Sequence, residues 1–156
     1  MLVKTITSFT IAHSITLAIA TLGYAQAPVD ALNVLIAMSI LFLGPEIVRR
    51  VRGQRSLTID HPWIVAFAFG LLHGFGFASG LLELGLPRSE IPLALLMFNV
   101  GVEIGQLGFV AILLAVGASL GALGLRGAAW TSLVPAYIIG SLGAYWTIDR
   151  LVAALI

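Results

Sequence analysis

The chain has 156 residues, of which 60% are hydrophobic and only 10% charged, with a formal net charge of +1. A soluble domain carries about a quarter charged residues, so this composition excludes a water-covered globule and fits a bilayer protein. The small charge argues against a nucleic-acid partner, and the absence of cysteine excludes disulfides, thiolate metal sites and cysteine nucleophiles.

Five apolar segments are predicted, at roughly 6–24, 29–48, 63–84, 91–120 and 129–155. Each offers at least about the ~20 residues that a bilayer crossing needs. None shows period-2 alternation, and only helices or closed barrels satisfy every backbone group in lipid. The expected fold is all-α: a single polytopic transmembrane helix bundle over 1–156, with about five spans and almost no soluble part.

The first segment follows Lys4 and carries His13, with Thr10, Ser14 and Thr21 as a hydroxyl stripe beside it. It has a competing reading. Lys4, the apolar run and Ala25-Gln26-Ala27 resemble a signal peptide, but the run exceeds the usual ~7–15 apolar residues. It is read as a retained span.

Glu46 sits toward the inner end of the second segment, one turn before Arg49 and Arg50, a spacing that fits a simple ion pair near water. A basic loop, Arg49 to Asp60, follows. Asp60 before Pro62 is expected to cap the third segment, and His61 beside it is read as structural.

The third segment carries Gly70, His73, Gly74, Gly76 and Gly80. At 100° per residue, Gly70, Gly76 and Gly80 lie within about 60° of His73. The imidazole should therefore project from a small-residue surface open to a neighbour. Glycine crowding should also weaken the helix enough for a local break.

The fourth segment is the most informative. Asn99, Glu103 and Gln106 are spaced i, i+4, i+7 and form one stripe. Gly101, Gly105 and Gly108 fall on roughly the opposite face, and the first two make a GxxxG pair that lets backbones approach. Contact on both faces is expected, which would place this helix centrally.

Lysine and arginine counts set orientation. With the N-terminus inside, the inner side holds Lys4, Arg49, Arg50, Arg52, Arg55 and Arg126, and the outer side only Arg88 and Arg150, six against two. The N-terminus is expected in the cytoplasm and the C-terminus in the periplasm of a bacterial inner membrane. Trp63 and Trp130 then fall near the inner interface, and Tyr24, Tyr145 and Trp146 toward the outer one.

An ionisable residue at mid-bilayer costs ~2.5–3.5 kcal/mol on insertion scales and marks function or interior packing. His13, His73 and Glu103 are the candidates, accompanied by Asn99 and Gln106, with Ser14 and Glu46 as secondary polar residues. The bland reading of each is helix glue at ~0.6–2 kcal/mol per contact. Glu103 resists it most, because a mid-bilayer carboxylate must be protonated, paired or hydrated.

Three phrases carry a resemblance. They are Phe9-Thr10-Ile11-Ala12-His13-Ser14-Ile15-Thr16-Leu17, Phe69-Gly70-Leu71-Leu72-His73-Gly74-Phe75-Gly76-Phe77-Ala78, and Phe98-Asn99-Val100-Gly101-Val102-Glu103-Ile104-Gly105-Gln106-Leu107. A weaker fourth is Ile36-Ala37-Met38-Ser39-Ile40 followed by Glu46. In this order and spacing the chain resembles the HupE/UreJ family of bacterial membrane proteins over nearly its whole length. The resemblance implies uptake of nickel or a related metal for hydrogenase and urease. The family usually carries an earlier helix with a His/Asp-rich motif ending in Asp-His. No such motif precedes Phe9 here, which leaves a misassigned start or a shortened member as the two readings. The family's histidine-glycine phrase is only partly matched at His73-Gly74.

The leading expectation is a permease or metal-binding membrane protein for a divalent transition metal, nickel foremost. Imidazole suits the later first-row metals. His13, His73 and Glu103 would supply ligands, with Asn99 and Gln106 as weak or supporting ones. Proton exchange at Glu103 could couple ion movement to the proton gradient. No Gly-rich, lysine-containing ATP-binding motif is present, so movement by this chain alone would be secondary transport. The alternative is a non-transporting accessory or assembly subunit that docks a second copy or a partner membrane subunit through its glycine faces. No nucleophile–base spacing is recognisable on one helix, so no enzyme is expected.

Overall fold

The computed structural model describes residues 1–83, 85, 87, 89–122, 124 and 130–156, with Leu82 and Glu83 as backbone. Leu84, Arg88, Arg126 and Ala129, which entered the predicted segment ends and the charge count, lie outside the described residues. Among the described residues six helices follow in order: α1 (Leu2–Thr21), α2 (Val29–Val51), α3 (Leu57–Asp60), α4 (Pro62–Glu83), α5 (Ile91–Ala122) and α6 (Trp130–Leu155). All but the short α3 contain a window long and apolar enough to cross a membrane. The expected five spans are present, and no strand occurs among the described residues.

Glycines set two of the helix ends. Gly23 and Gly53 take φ of +81° and +69°. After α2, Gly53 N–H donates to Arg50 O and Gln54 N–H to Arg49 O, at 3.1 and 3.0 Å. After α1, Gly23 N–H donates to Ala20 O and Tyr24 N–H to Ile19 O at the same two distances. This is the Schellman arrangement, which closes the last carbonyls of a helix on a left-handed glycine. It explains why α2 runs past the expected Val48 into the basic residues, and why α1 stops short of Tyr24. Asp60 does not cap α4. It closes α3, whose N-cap Ser56 accepts from Ile59 N–H at 3.3 Å, and its carboxylate takes Arg55 at 3.3 Å.

The spans form a row in the order α5, α1, α4, α2, α6. Two pairs are tight because glycine removes the side chain between them. A Cβ on Gly74 would strike Thr16 and the backbone of His13 and Leu17, and one on Gly70 would strike Phe9 and Ala12. These glycines seat α1 on α4 in parallel. At the other end, a Cβ on Gly44 would fall 2.7 Å from Gly140 Cα, and one on Gly143 2.6 Å from Leu41 Cα. These seat α2 on α6, antiparallel. A Cβ on Gly76 would meet Ile36 of α2, so α4 is approached from both sides around His73. Despite its glycines, α4 is continuous, and the expected local break is absent. Packing on two neighbours compensates the weak propensity of glycine.

The central placement expected for α5 does not hold. It has no buried residue and packs its backbone on α1 alone among the described elements. A Cβ on Gly101, Gly105 or Gly108 would meet nothing within 4 Å. The two faces were read correctly, but only the polar one is occupied. At 32 residues, α5 spans about 48 Å, more than the ~30 Å hydrocarbon core. Large apolar side chains such as Leu96, Ile104, Phe109 and Ile112 are exposed along it. In water that surface would drive aggregation, whereas in a bilayer it faces lipid.

Candidate functional site

The enclosed centre of the molecule lies on α1. His13 and Leu17 are the largest fully buried side chains, and His13 is 1% exposed. Phe9, one turn earlier, stacks on the His13 ring at 5.9 Å, and Phe98 of α5 stacks on it at 5.9 Å. Phe77 of α4 meets it edge-on at 5.6 Å. The imidazole is thus surrounded by phenyl rings, which exclude water and leave its polarity to one partner.

That partner is Asn99. Its amide N–H donates to Leu95 O at 2.8 Å, which turns Oδ1 toward His13 Nδ1, 3.2 Å away. The network assigns the proton to Nδ1, because an amide oxygen only accepts. In the neutral ring Nε2 then carries the free lone pair.

His73 is fixed the same way from the other side. Ser39 of α2, itself buried, donates its one hydroxyl proton to Ile36 O at 2.7 Å. Its oxygen can then only accept from His73 Nε2, 3.1 Å away, which leaves the lone pair on Nδ1. The Phe9 ring meets His73 edge-on at 5.6 Å. One phenyl ring therefore touches both histidines.

Below His13, toward the start of α1, the contact with α5 stays polar. Thr7 donates to Glu103 Oε1 at 3.4 Å, and Thr10 to Gln106 Oε1 at 3.3 Å. The Thr10 proton is shared with Ile6 O at 3.2 Å. These distances exceed the usual 2.5–3.0 Å for O–H···O, so they hold α5 weakly. Thr7 and His13 are six positions apart, about 9 Å along the helix. The sequence-derived stripe Asn99, Glu103, Gln106 is a ladder against α1, with His13 at its top.

A family model described as HupE / UreJ protein matches residues 1–150. The chain belongs to the HupE/UreJ family. No curated protein and no solved structure matches it.

In this HupE/UreJ protein the expected residues fall into two groups. His13, Asn99, Glu103 and Gln106 line the α1–α5 contact, while His73 turns to Ser39 on α2. Among the described residues no three His, Asp or Glu side chains gather closely enough to hold one metal ion together. His13, His73 and Glu103 therefore do not form the shared three-ligand pocket that the sequence led us to expect. The reason is geometric: His73 is turned to Ser39 on α2, while Glu103 lies against Thr7, six positions before His13 on α1.

The secondary residues lie elsewhere. The Ser14 hydroxyl donates to Thr10 O at 2.6 Å, within its own helix. The Thr21 hydroxyl is buried without a partner. Glu46 is 4% exposed, takes Arg49 at 2.6 Å and accepts from Ser56, so it pins the basic loop onto α2. Its reading as a local ion pair holds, with an added bond across the loop.

Ser39, Thr7 and Phe9 are the partners that sequence reasoning left unassigned. Thr7 and Thr10 are spaced i, i+3, a signal that would have found the ladder. Ser39 carried no signal beyond its place in the weak fourth phrase.

Proposed function

We propose that this HupE/UreJ protein is a permease for a divalent transition metal ion, nickel foremost, with the cation as its substrate. The observation that carries this reading is the state of the two imidazoles. Each donates one N–H to a fixed oxygen, from Asn99 or Ser39, and keeps the other nitrogen as a lone pair. A histidine that ligates metal is held in this way, with its second nitrogen bonded to an orienting acceptor. Imidazole is a fitting ligand for nickel, copper, zinc and iron.

The dispersed arrangement supports passage more than storage. A tight structural site closes four ligands around one ion. Here His13, the Glu103 carboxyl and the amides of Asn99 and Gln106 follow one another along α1, as successive weak ligands would. The long Thr7–Glu103 and Thr10–Gln106 bonds and the unburied α5 leave that helix free to shift on α1, a motion of the kind that gives alternating access. On this reading the basic loop between α2 and α4 faces the cytoplasm of a bacterial inner membrane, the chain is no enzyme, and its lasting partner is the bilayer.

A second reading has its own support. Among the described residues the Gly101, Gly105 and Gly108 face of α5 is open, and no three-ligand cluster is assembled. A non-transporting accessory subunit would use α5 to meet another membrane protein.

The test is nickel and cobalt accumulation in cells expressing wild type, His13→Ala, His73→Ala or Glu103→Gln at matched levels. The permease reading predicts accumulation above an empty vector for wild type and its loss in the His13 variant. Equal accumulation in all strains rejects it.

A further inference from the structure

At the basic end of the bundle α2 and α6 enclose a groove of about 490 Å³. Its floor is the Gly44–Gly140 crossing, where the two backbones meet closely and no side chain rises into the groove. Its walls are apolar, with Leu41, Val48 and Ala144. Its mouth is not: Arg49, Arg52 and Gln54 stand there.

The charges at that mouth are unbalanced. Arg49 is paired with Glu46, and Arg55 with Asp60. Arg50 and Arg52 have no acidic partner among the described residues, and both are exposed. Of these two, Arg52 lines the groove. A cation at the mouth of an apolar slot between two membrane helices selects an amphiphile with an anionic head and a hydrocarbon tail. Basic pockets between spans take acidic lipid headgroups in this way. A metal cation is disfavoured there, since Glu46, the nearest carboxylate on α2, is already engaged.

We propose that this groove holds one anionic phospholipid, its phosphate against Arg52 and Gln54 and an acyl chain along the Gly44–Gly140 floor. The lipid would fill the groove beside the tight α2–α6 crossing and would anchor the basic loop at the membrane surface. This site is separate from the histidines and does not depend on the metal reading.

The test is native mass spectrometry of the full chain, released from neutral detergent after addition of phosphatidylglycerol or phosphatidylcholine with matched acyl chains. Wild type should retain phosphatidylglycerol about fivefold over phosphatidylcholine, the worth of one arginine near a membrane surface. Arg52→Gln should lose that preference with helicity unchanged by circular dichroism. Arg50→Gln, whose side chain does not line the groove, should keep it. Ala144→Leu should lower retention of both lipids by narrowing the slot. The proposal is overturned by equal retention of the two lipids in wild type, by a preference that survives Arg52→Gln, or by its equal loss in Arg50→Gln. Displacement of phosphatidylglycerol by inorganic phosphate alone would also overturn it, since the site would then recognise the free anion.

Discussion

His13 Nδ1 lies 3.2 Å from Asn99 Oδ1, and this bond joins the most enclosed imidazole of the protein to the least buried of the five described spans. Removing the acceptor should be costly. Asn99→Ala leaves a buried N–H without a partner, a penalty of about 1–3 kcal/mol. Thermal unfolding in detergent should fall accordingly, and Asn99→Asp, which keeps an oxygen in place, should restore part of the loss. An unchanged melting temperature for Asn99→Ala would show that the bond is not made.

The tautomers can be read directly. With His13 protonated at Nδ1 and His73 at Nε2, nitrogen-15 spectra of labelled protein in lipid should show two neutral imidazoles of opposite tautomer. Ser39→Ala should release His73 into a mixture of tautomers and leave His13 unaffected. Two identical tautomers in wild type would contradict the network.

Helix seating makes a contrast between glycines. Gly74→Val drives side-chain atoms into Thr16 and the α1 backbone and should destabilise by about 1–3 kcal/mol through overpacking. Gly101→Ala and Gly105→Ala enter open space and should fall within about 0.5 kcal/mol of wild type, as measured by unfolding of the monomer. If instead Gly105→Leu separates a co-purifying membrane protein, the accessory reading gains.

Glu46 anchors the basic loop through Arg49 and Ser56. Glu46→Ala should cost about 1–2 kcal/mol, a moderate figure because Arg49 is half exposed and can turn to water. Limited proteolysis at Arg52 or Arg55 should accelerate in this variant. Unchanged cleavage would mean that the loop is held by other contacts.

The spans were legible because bilayer thickness fixes their length and lipid forbids unpaired backbone. The polar stripe of α5 was legible from helical spacing, since Asn99, Glu103 and Gln106 can face only one way. Which neighbour covers each face was not. Lipid and protein are both apolar, so the glycine face of α5 carries the same pattern whether a helix or a lipid tail lies on it. Gly70 and Gly74 carry that pattern too, yet they are tightly covered. The helix ends at Gly23 and Gly53 depended on left-handed glycines, whose effect overrode the hydropathy boundary. The pairing of His73 with Ser39 joins two segments 34 positions apart, and no local periodicity encodes it.

The account rests on an imidazole held with its lone pair free in a dry, ring-lined core. Its most direct test is nickel entry into proteoliposomes containing the purified chain, with an internal metal-sensitive dye, for wild type and His13→Ala. The account predicts saturable entry for wild type and a fall of at least about tenfold for the variant, the size of effect seen when a metal site loses an orienting or ligating group. Equal entry for the two proteins, or none above protein-free vesicles, would contradict it.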